Sequence, residues 1–288
     1  MKKNYLNFGD KICIVAHDAG AANLILGWIK NNQSYKYCFN LSGPAIKIFQ
    51  ENNFINGSCN SEEIPKNCKA IISGTSLKSM HEHNARWIAK KLNILCIAVL
   101  DHWVNYEIRF IRKEIKILPD IIWVFDQNAE NIAKNLFKTV IIQKQKNYYI
   151  DGLVKKINNF KIAKDFNQTR ILYVLEPIRK ETDLKEYLYE FKVLDFFLEK
   201  IPKLNLRNQL KIKLRLHPSE KKFKYQKWLK NKNLNYISLS YERPLFEDIS
   251  WADIVVGYES YALVVANASS KKCFSSKLPN EDNCRLMI

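Results

Sequence analysis

The sequence predicts an α/β chain built as two parallel-sheet domains facing a cleft, and three observations predict it. Apolar runs of strand length alternate with longer segments of helical period along the chain. The runs are continuous, as in strands buried on both faces, so helical crossovers must cover both sides of each sheet. A polar, basic, weakly periodic stretch at 151–169 divides the series in two. The expected domains are 1–155 and 165–288, each Rossmann-like in its strand–helix alternation.

Lys11–Ala16 (KICIVA) stops at His17-Asp18-Ala19-Gly20, and Ala21–Lys30 then carries Ala22, Leu24, Ile25 and Trp28 at helical spacing. Tyr35–Asn40 reads as a second strand and Ala45–Asn52 as a helix entered through Gly43-Pro44. Ala70–Ser73 ends in Gly74-Thr75-Ser76; a helix is expected over Lys78–Leu92 and a buried strand over Ile94–Leu100. Past Asp101–Arg109 come the strand Ile121–Phe125 and the helix Ala129–Leu136. In the second half, Arg170–Leu175 closes at Glu176-Pro177, and Asp183–Lys200 is a long amphipathic helix. Lys211–Leu216 runs into His217-Pro218-Ser219-Glu220, with a lysine-rich helix over Lys221–Lys230. Tyr236–Leu239, Asp253–Val256 and Lys271–Ser275 complete the strands, with helices at Leu245–Ile249 and Tyr261–Asn267.

The formal charge of +17 points first to a polyanion or an anionic membrane surface. Its make-up argues otherwise for nucleic acid: 37 of the 46 basic residues are Lys and only 9 are Arg, the residue suited to bidentate contacts with phosphates and bases. No nucleic-acid partner is expected. No window approaches the roughly 18–20 apolar residues of a membrane span, and MKKNYLNFGDK has no apolar stretch behind its basic residues, so no signal peptide is expected. The seven cysteines are scattered without a C-x-x-C pair and read as small buried hydrophobes of a reducing cytosol. A cytoplasmic protein is expected, with peripheral association at the inner membrane face as a use for the excess charge.

Ligands of open α/β sheets bind beyond the carboxyl ends of the strands, where helix N-termini offer free amides. Four of the five histidines, His17, His81, His102 and His217, lie in or next to such loops. His217, Pro218 and Ser219 form a candidate phosphate loop, and Lys211, Lys213 and Arg215 lead into it. Gly257 and Ser260 form a second, at the start of an Ala-rich helix. His17 and Asp18 are candidate acid–base groups, with Gly20 and Asn23 beside them; Asp18 as a plain helix cap is the alternative. Asp101, His102, Trp103, Asn105 and Arg109 suit a sugar, the aromatic face against its ring and the polar groups on its hydroxyls; Trp103 plugging the sheet end is the alternative. Thr75 and Ser76 are a further anion loop. His81-Glu82-His83 is H-x-H on a helix, where i and i+2 diverge, and no Asp-x-Asp or Walker loop occurs, so neither a metal nor a bound cofactor is expected.

RLHPSE at 215–220, GYESYALVVA at 257–266 and AHDAGAAN at 16–23 resemble bacterial two-domain (GT-B) glycosyltransferases of capsule and lipopolysaccharide synthesis, nearest to the sialyl- and Kdo-transferase-like groups. ISGTS (72–76) and VLDHWVNYEIRF (99–110) are similar to loops of polysaccharide-biosynthesis proteins. The resemblance implies that His217 and Ser260 contact a donor phosphate and that Asp18 or Asp101 acts as general base. It also implies a long closing helix, which the chain, ending at Leu286-Met287-Ile288, does not reach, as in a truncated copy.

The expectation is therefore a metal-independent glycosyltransferase moving a sugar from a nucleotide-activated donor, CMP-linked by preference, to a cell-surface glycan acceptor. Two alternatives stand beside it. One is a sugar-nucleotide hydrolase or 2-epimerase of the same fold; the other is a non-catalytic basic protein binding nucleic acid or lipid.

Overall fold

A computed structural model describes residues 11–55, 64, 66–77, 79–163, 165–178, 189–204, 209–217, 220, 222–232, 234–241, 243–282, 284 and 286. The chain divides into two compact units, 1–149 and 150–288.

In the first unit the strands are β1 (Lys11–Ala16), β2 (Lys36–Leu41), β3 (Ala70–Ser73), β4 (Leu95–Val99), β7 (Ile121–Val124) and β8 (Ile141–Lys144). They form one sheet in the order β2-β1-β3-β4-β7-β8, and every pairing is parallel. The helices α1 (Ala19–Lys30), α2 (Pro44–Glu51), α3 (His81–Leu92) and α4 (Gln127–Leu136) alternate with the strands. One face of β1 sends Ile12, Ile14 and Ala16 into a core with Leu24, Ile25, Trp28 and Phe49 from α1 and α2. Cys13 and Val15 point the other way, against Ala85 and Ala89 of α3. This double burial is why the runs read as continuous.

In the second unit the strands are β9 (Gln168–Val174), β10 (Gln209–Arg215), β11 (Ile237–Ser240), β12 (Ile254–Gly257) and β13 (Lys272–Ser275), in the order β11-β10-β9-β12-β13, again all parallel. Its helices are α5 (Tyr148–Asn159), whose first two residues belong to the first unit, α6 (Tyr189–Lys200), α7 (Lys222–Lys232), α8 (Leu245–Trp251) and α9 (Tyr261–Ala268). Phe191, Leu194 and Phe197 of α6 and Tyr225 of α7 pack on Ile171, Tyr173, Ile212 and Leu214 of the sheet. The two-sheet α/β expectation holds.

Three features depart from the sequence reading. The stretch expected to be a linker begins inside α5, whose described side chains bury only Ile157, so the helix carries little apolar signal. Strand β8 is an edge strand with Ile141 exposed. A hairpin joins β5 (Ile111–Arg112) to β6 (Ile115–Lys116), with Lys113 and Glu114 at φ +47° and +65°. Such turns favour Asn-Gly or Asp-Gly, so Lys-Glu gave no turn signal.

Candidate active sites at the two switch points

The strand orders locate the sites. In the first sheet the chain steps from β1 to β2 on one side and then to β3 on the other; in the second it runs β9, β10, β11 and returns to β12 beside β9. Where the direction reverses, the loops leaving neighbouring strands part and open a crevice at the carboxyl edge. These points lie between β1 and β3, and between β9 and β12.

At the first, the carboxylate of Glu82 spans the gap. One oxygen accepts the amide N–H of His17, just past β1, at 2.9 Å, and the other accepts that of Ser76, past β3, at 2.6 Å. Glu82 is 1% exposed, and Gly74 leaves room for it: a Cβ there would lie 2.2 Å from its Oε1. Burial pushes its carboxyl up to about 7 against the pull of the two amides. Arg86, one turn on, is equally buried and donates to the carbonyls of Gly74 and Arg109, both at 3.2 Å. Burial brings its guanidinium down to about 10.

Against this frame His17 is half-buried, its Nδ1 2.9 Å from the Ser42 hydroxyl and its Nε2 3.9 Å from Asp18 Oδ1. Gly43, at φ +54°, brings backbone against the imidazole, where a Cβ would come within 2.5 Å of the ring. Asp18 occupies the N-cap position of α1, yet its side chain makes no cap hydrogen bond and remains 39% exposed. Asp101 pairs with Arg109 at 3.0 Å, and its other oxygen lies over Gly20, where a Cβ would fall 1.9 Å away. Arg109 is buried and also donates to the carbonyls of Thr75 (3.1 Å) and Val104 (3.3 Å). The structure thus gathers His17, Asp18, Gly20, Asp101 and Arg109 at one sheet edge, with His17 and Asp18 the more open groups.

Several expected ligand contacts are occupied by the fold. Thr75 is buried and its hydroxyl donates to the Val99 carbonyl at 2.8 Å; Ser76 is buried with its amide on Glu82. Trp103 does not offer its indole N–H to a ligand: it donates to Asp126 at 2.8 Å, and Asp126 in turn caps α4 by accepting from Ala129 at 2.7 Å. Trp103 is half-buried against the core around Phe110 and Ile122, with its N–H committed to Asp126. His102 lies edge-on to Trp103, Asn105 is exposed at φ +61°, and Asn23 is half-buried on α1.

The second switch point uses the same device. Glu176, just past β9, accepts the amide of Glu259, past β12. Burial pushes its carboxyl up to about 7, opposed by that amide. Glu259 pairs with Lys277 at 3.3 Å, and the ammonium lies 5.3 Å from the centre of the Tyr258 ring. Gly257 is buried against Val174, whose Cγ2 would lie 2.5 Å from a Cβ. Ser260 caps α9, its Oγ accepting from the Ala262 amide at 3.2 Å. His217 is half-buried at the end of β10; Pro218 and Ser219 lie outside the described residues. Lys213 and Arg215, expected to attract an anion, face the fully buried Asp248 at 3.8 and 2.6 Å, and the Ser240 hydroxyl bonds the same carboxylate. Asp248 pairs with both and offsets one of their two charges within the fold.

Glu82 and Glu176 are the residues sequence reasoning missed. Glu176 stands at a strand end, a signal that could have found it; Glu82 lies between two histidines on a helix, where the sequence does not distinguish it from a solvent-facing residue. Among the described residues no group of three His, Cys, Asp or Glu is placed to hold a metal ion, and no helix is long and apolar enough to cross a membrane.

No family profile and no curated protein sequence matches the chain. Among solved structures, S. aureus MnaA in a co-structure with UDP aligns at a TM-score of 0.63, with 11% identity over 93% of this chain and 79% of that one. The UDP-GlcNAc 2-epimerase of Neisseria meningitidis bound to UDP-GlcNAc aligns at 0.57, with 11% identity over 93% and 82%. The UDP-N-acetylglucosamine 2-epimerase of Rickettsia bellii aligns at 0.56, with 12% identity over 92% and 78%. At these identities the likeness establishes a shared fold of two parallel-sheet α/β units.

Proposed function

We propose that the chain is an enzyme acting on a UDP-activated sugar by proton transfer, in the manner of a 2-epimerase or hydrolase that needs no acceptor. The observation that carries this reading is the first switch point. A buried glutamate fixes the ends of β1 and β3, and His17 and Asp18 stand open beside it. The three solved structures reported above support the nucleotide, since each carries UDP or a UDP-sugar in its name. The CMP-linked donor implied by the transferase resemblance has no counterpart among them.

His17 is the proton carrier in this scheme. Ser42 and Gly43 hold its ring, and Asp18 lies close enough to support the charge when the imidazole is protonated. Asp101, oriented by Arg109, receives a sugar hydroxyl. Glu82 acts through the backbone, as a positioning residue. The nucleotide falls to the second unit, where the start of α9, Ser260 and His217 take phosphate oxygens and Lys277 contributes charge.

Incubation with UDP-GlcNAc in deuterated water tests the reading. Inversion at a carbon removes one C–H proton and returns another, so deuterium is expected in the recovered sugar nucleotide; a hydrolase releases free sugar and UDP instead. His17→Ala is expected to slow either reaction about 100-fold or more, with UDP still raising the melting temperature. Turnover that appears only on adding a glycan acceptor returns the assignment to a glycosyltransferase. Silence towards every UDP-sugar, with no stabilisation by UDP, overturns both.

A further inference from the structure

We propose that Cys13 and Cys38 form a peroxide-oxidisable thiol pair in the first sheet, with Cys38 the thiol attacked and Cys13 the thiol that resolves it into a disulfide. The two cysteines are register partners in the parallel pairing of β1 and β2. Neighbouring strands lie about 4.8 Å apart, inside the roughly 4.4–6.8 Å between Cα atoms that a disulfide spans. Both side chains share the sheet face covered by α3, in a cluster with Cys68. The Cys38 thiol turns towards β1, where it donates to the Ile12 carbonyl at 3.6 Å.

Access and reactivity separate the two. Strand β2 is the sheet edge and Cys38 is half-buried, whereas Cys13 is fully buried on the next strand. Cys38 beside it and burial hold the Cys13 thiol far above the usual thiol range, whereas the neighbouring Cys13 thiol and Lys11 bring Cys38 down against the opposing effect of burial. Cys96 lies two strands from Cys13 with Ile71 between, and burial pushes its thiol up to about 12.

The chemistry balances with hydrogen peroxide as oxidant. The Cys38 thiolate attacks one peroxide oxygen, forming S–O and breaking O–O, and the departing hydroxide takes a proton to leave as water. The Cys13 sulfur then attacks Cys38, forming S–S and breaking S–O, and its own proton leaves with the hydroxide as a second water. Two thiols have given two electrons to the peroxide. The strands carrying this pair end at His17 and Ser42, which bond each other at 2.9 Å. A bridge therefore bears on the acid–base loop; only that consequence rests on the function proposed above.

The test treats the reduced full-length chain with stoichiometric hydrogen peroxide, alkylates the remaining thiols and maps the peptides by mass. The expected product is lighter by two hydrogens, joins the peptides holding residues 13 and 38, and is reversed by dithiothreitol. Cys38 is expected to be consumed at least about tenfold faster than Cys96. Cys13→Ser is expected to leave a sulfenic acid on Cys38 that dimedone captures. Free residues 13 and 38 after peroxide, or a bridge to Cys68 in place of Cys13, overturn the proposal. Because the decisive readout is on the wild-type chain, a misfolded variant does not obscure it, and loss of the epimerase reading leaves it intact.

Discussion

At the first switch point a glutamate from helix α3 accepts amides from the ends of both flanking strands, whereas at the second a glutamate at the end of β9 accepts a single amide from the loop after β12. The first carboxylate is 1% exposed and has a buried arginine one turn away; the second is half-buried, and the residue it holds is itself paired with Lys277. The difference separates two tasks. Two anchors set the position of His17 on one side and Ser76 on the other, which suits proton transfer, where a misplacement of 1 Å is costly. At the second, the Gly257–Ser260 turn is held instead largely by the strand beside it: the Ser276 amide donates to the Gly257 carbonyl at 2.7 Å and the Ser275 hydroxyl to the Tyr258 carbonyl at 2.8 Å.

The largest expected effect comes from removing the anchors. Glu82→Ala strands two amides and leaves Arg86 without its nearby carboxylate, which costs about 3–5 kcal/mol. Glu176→Ala strands one amide and costs about 1–3 kcal/mol. Urea denaturation of the full chain measures both. Equal losses would break the comparison, since they would mean that the second bond to Glu82 adds nothing.

The two carboxyls also differ in their pH dependence. Both carboxyls are raised in the fold from the ordinary 4.5 to about 7. Between those values the folded chain binds more protons than the unfolded one. Stability from this source is therefore full below about pH 4.5 and is lost as pH rises through about 7. For the deeply buried Glu82 the shift corresponds to roughly 3 kcal/mol; the half-buried Glu176 contributes less. Glu82→Gln is expected to flatten the fall in the urea midpoint between about pH 5 and pH 8, while lowering stability throughout, because its amide cannot accept from both N–H groups. An unchanged slope would show that Glu82 does not titrate in this window.

The contrast between the two glutamates also marks how far the sequence could be read. The buried runs KICIVA and RILYVL announce β1 and β9, and the loop behind the first announces His17 and Asp18, while Glu176 reads only as the residue that closes its strand, because strand periodicity is local. Glu82 bonds His17 across 65 residues, and nothing local distinguishes it from a solvent-facing helix glutamate. Lys213 and Arg215 show the converse. Their alternation on β10 is legible, but the Asp248 that pairs with both comes from α8, 33 residues beyond Arg215. Patterning names the element and its face; the partner across the sheet belongs to the tertiary fold.

A smaller loss is expected at the cap of the second switch point. Ser260 caps α9 through a single 3.2 Å bond to Ala262, so Ser260→Ala is expected to cost about 1 kcal/mol, whereas Ser260→Gly costs only a few tenths, because glycine is itself tolerated at a cap. The glycine variant therefore removes the hydroxyl with the helix nearly intact. If the second switch point holds the nucleotide, the stabilisation that UDP gives to Ser260→Gly in a thermal melt falls below that of the wild type. Glu82→Gln, altered only at the first switch point, keeps the wild-type shift. Reversal of that order would place the nucleotide at the glutamate with two anchors and exchange the tasks assigned to the two units.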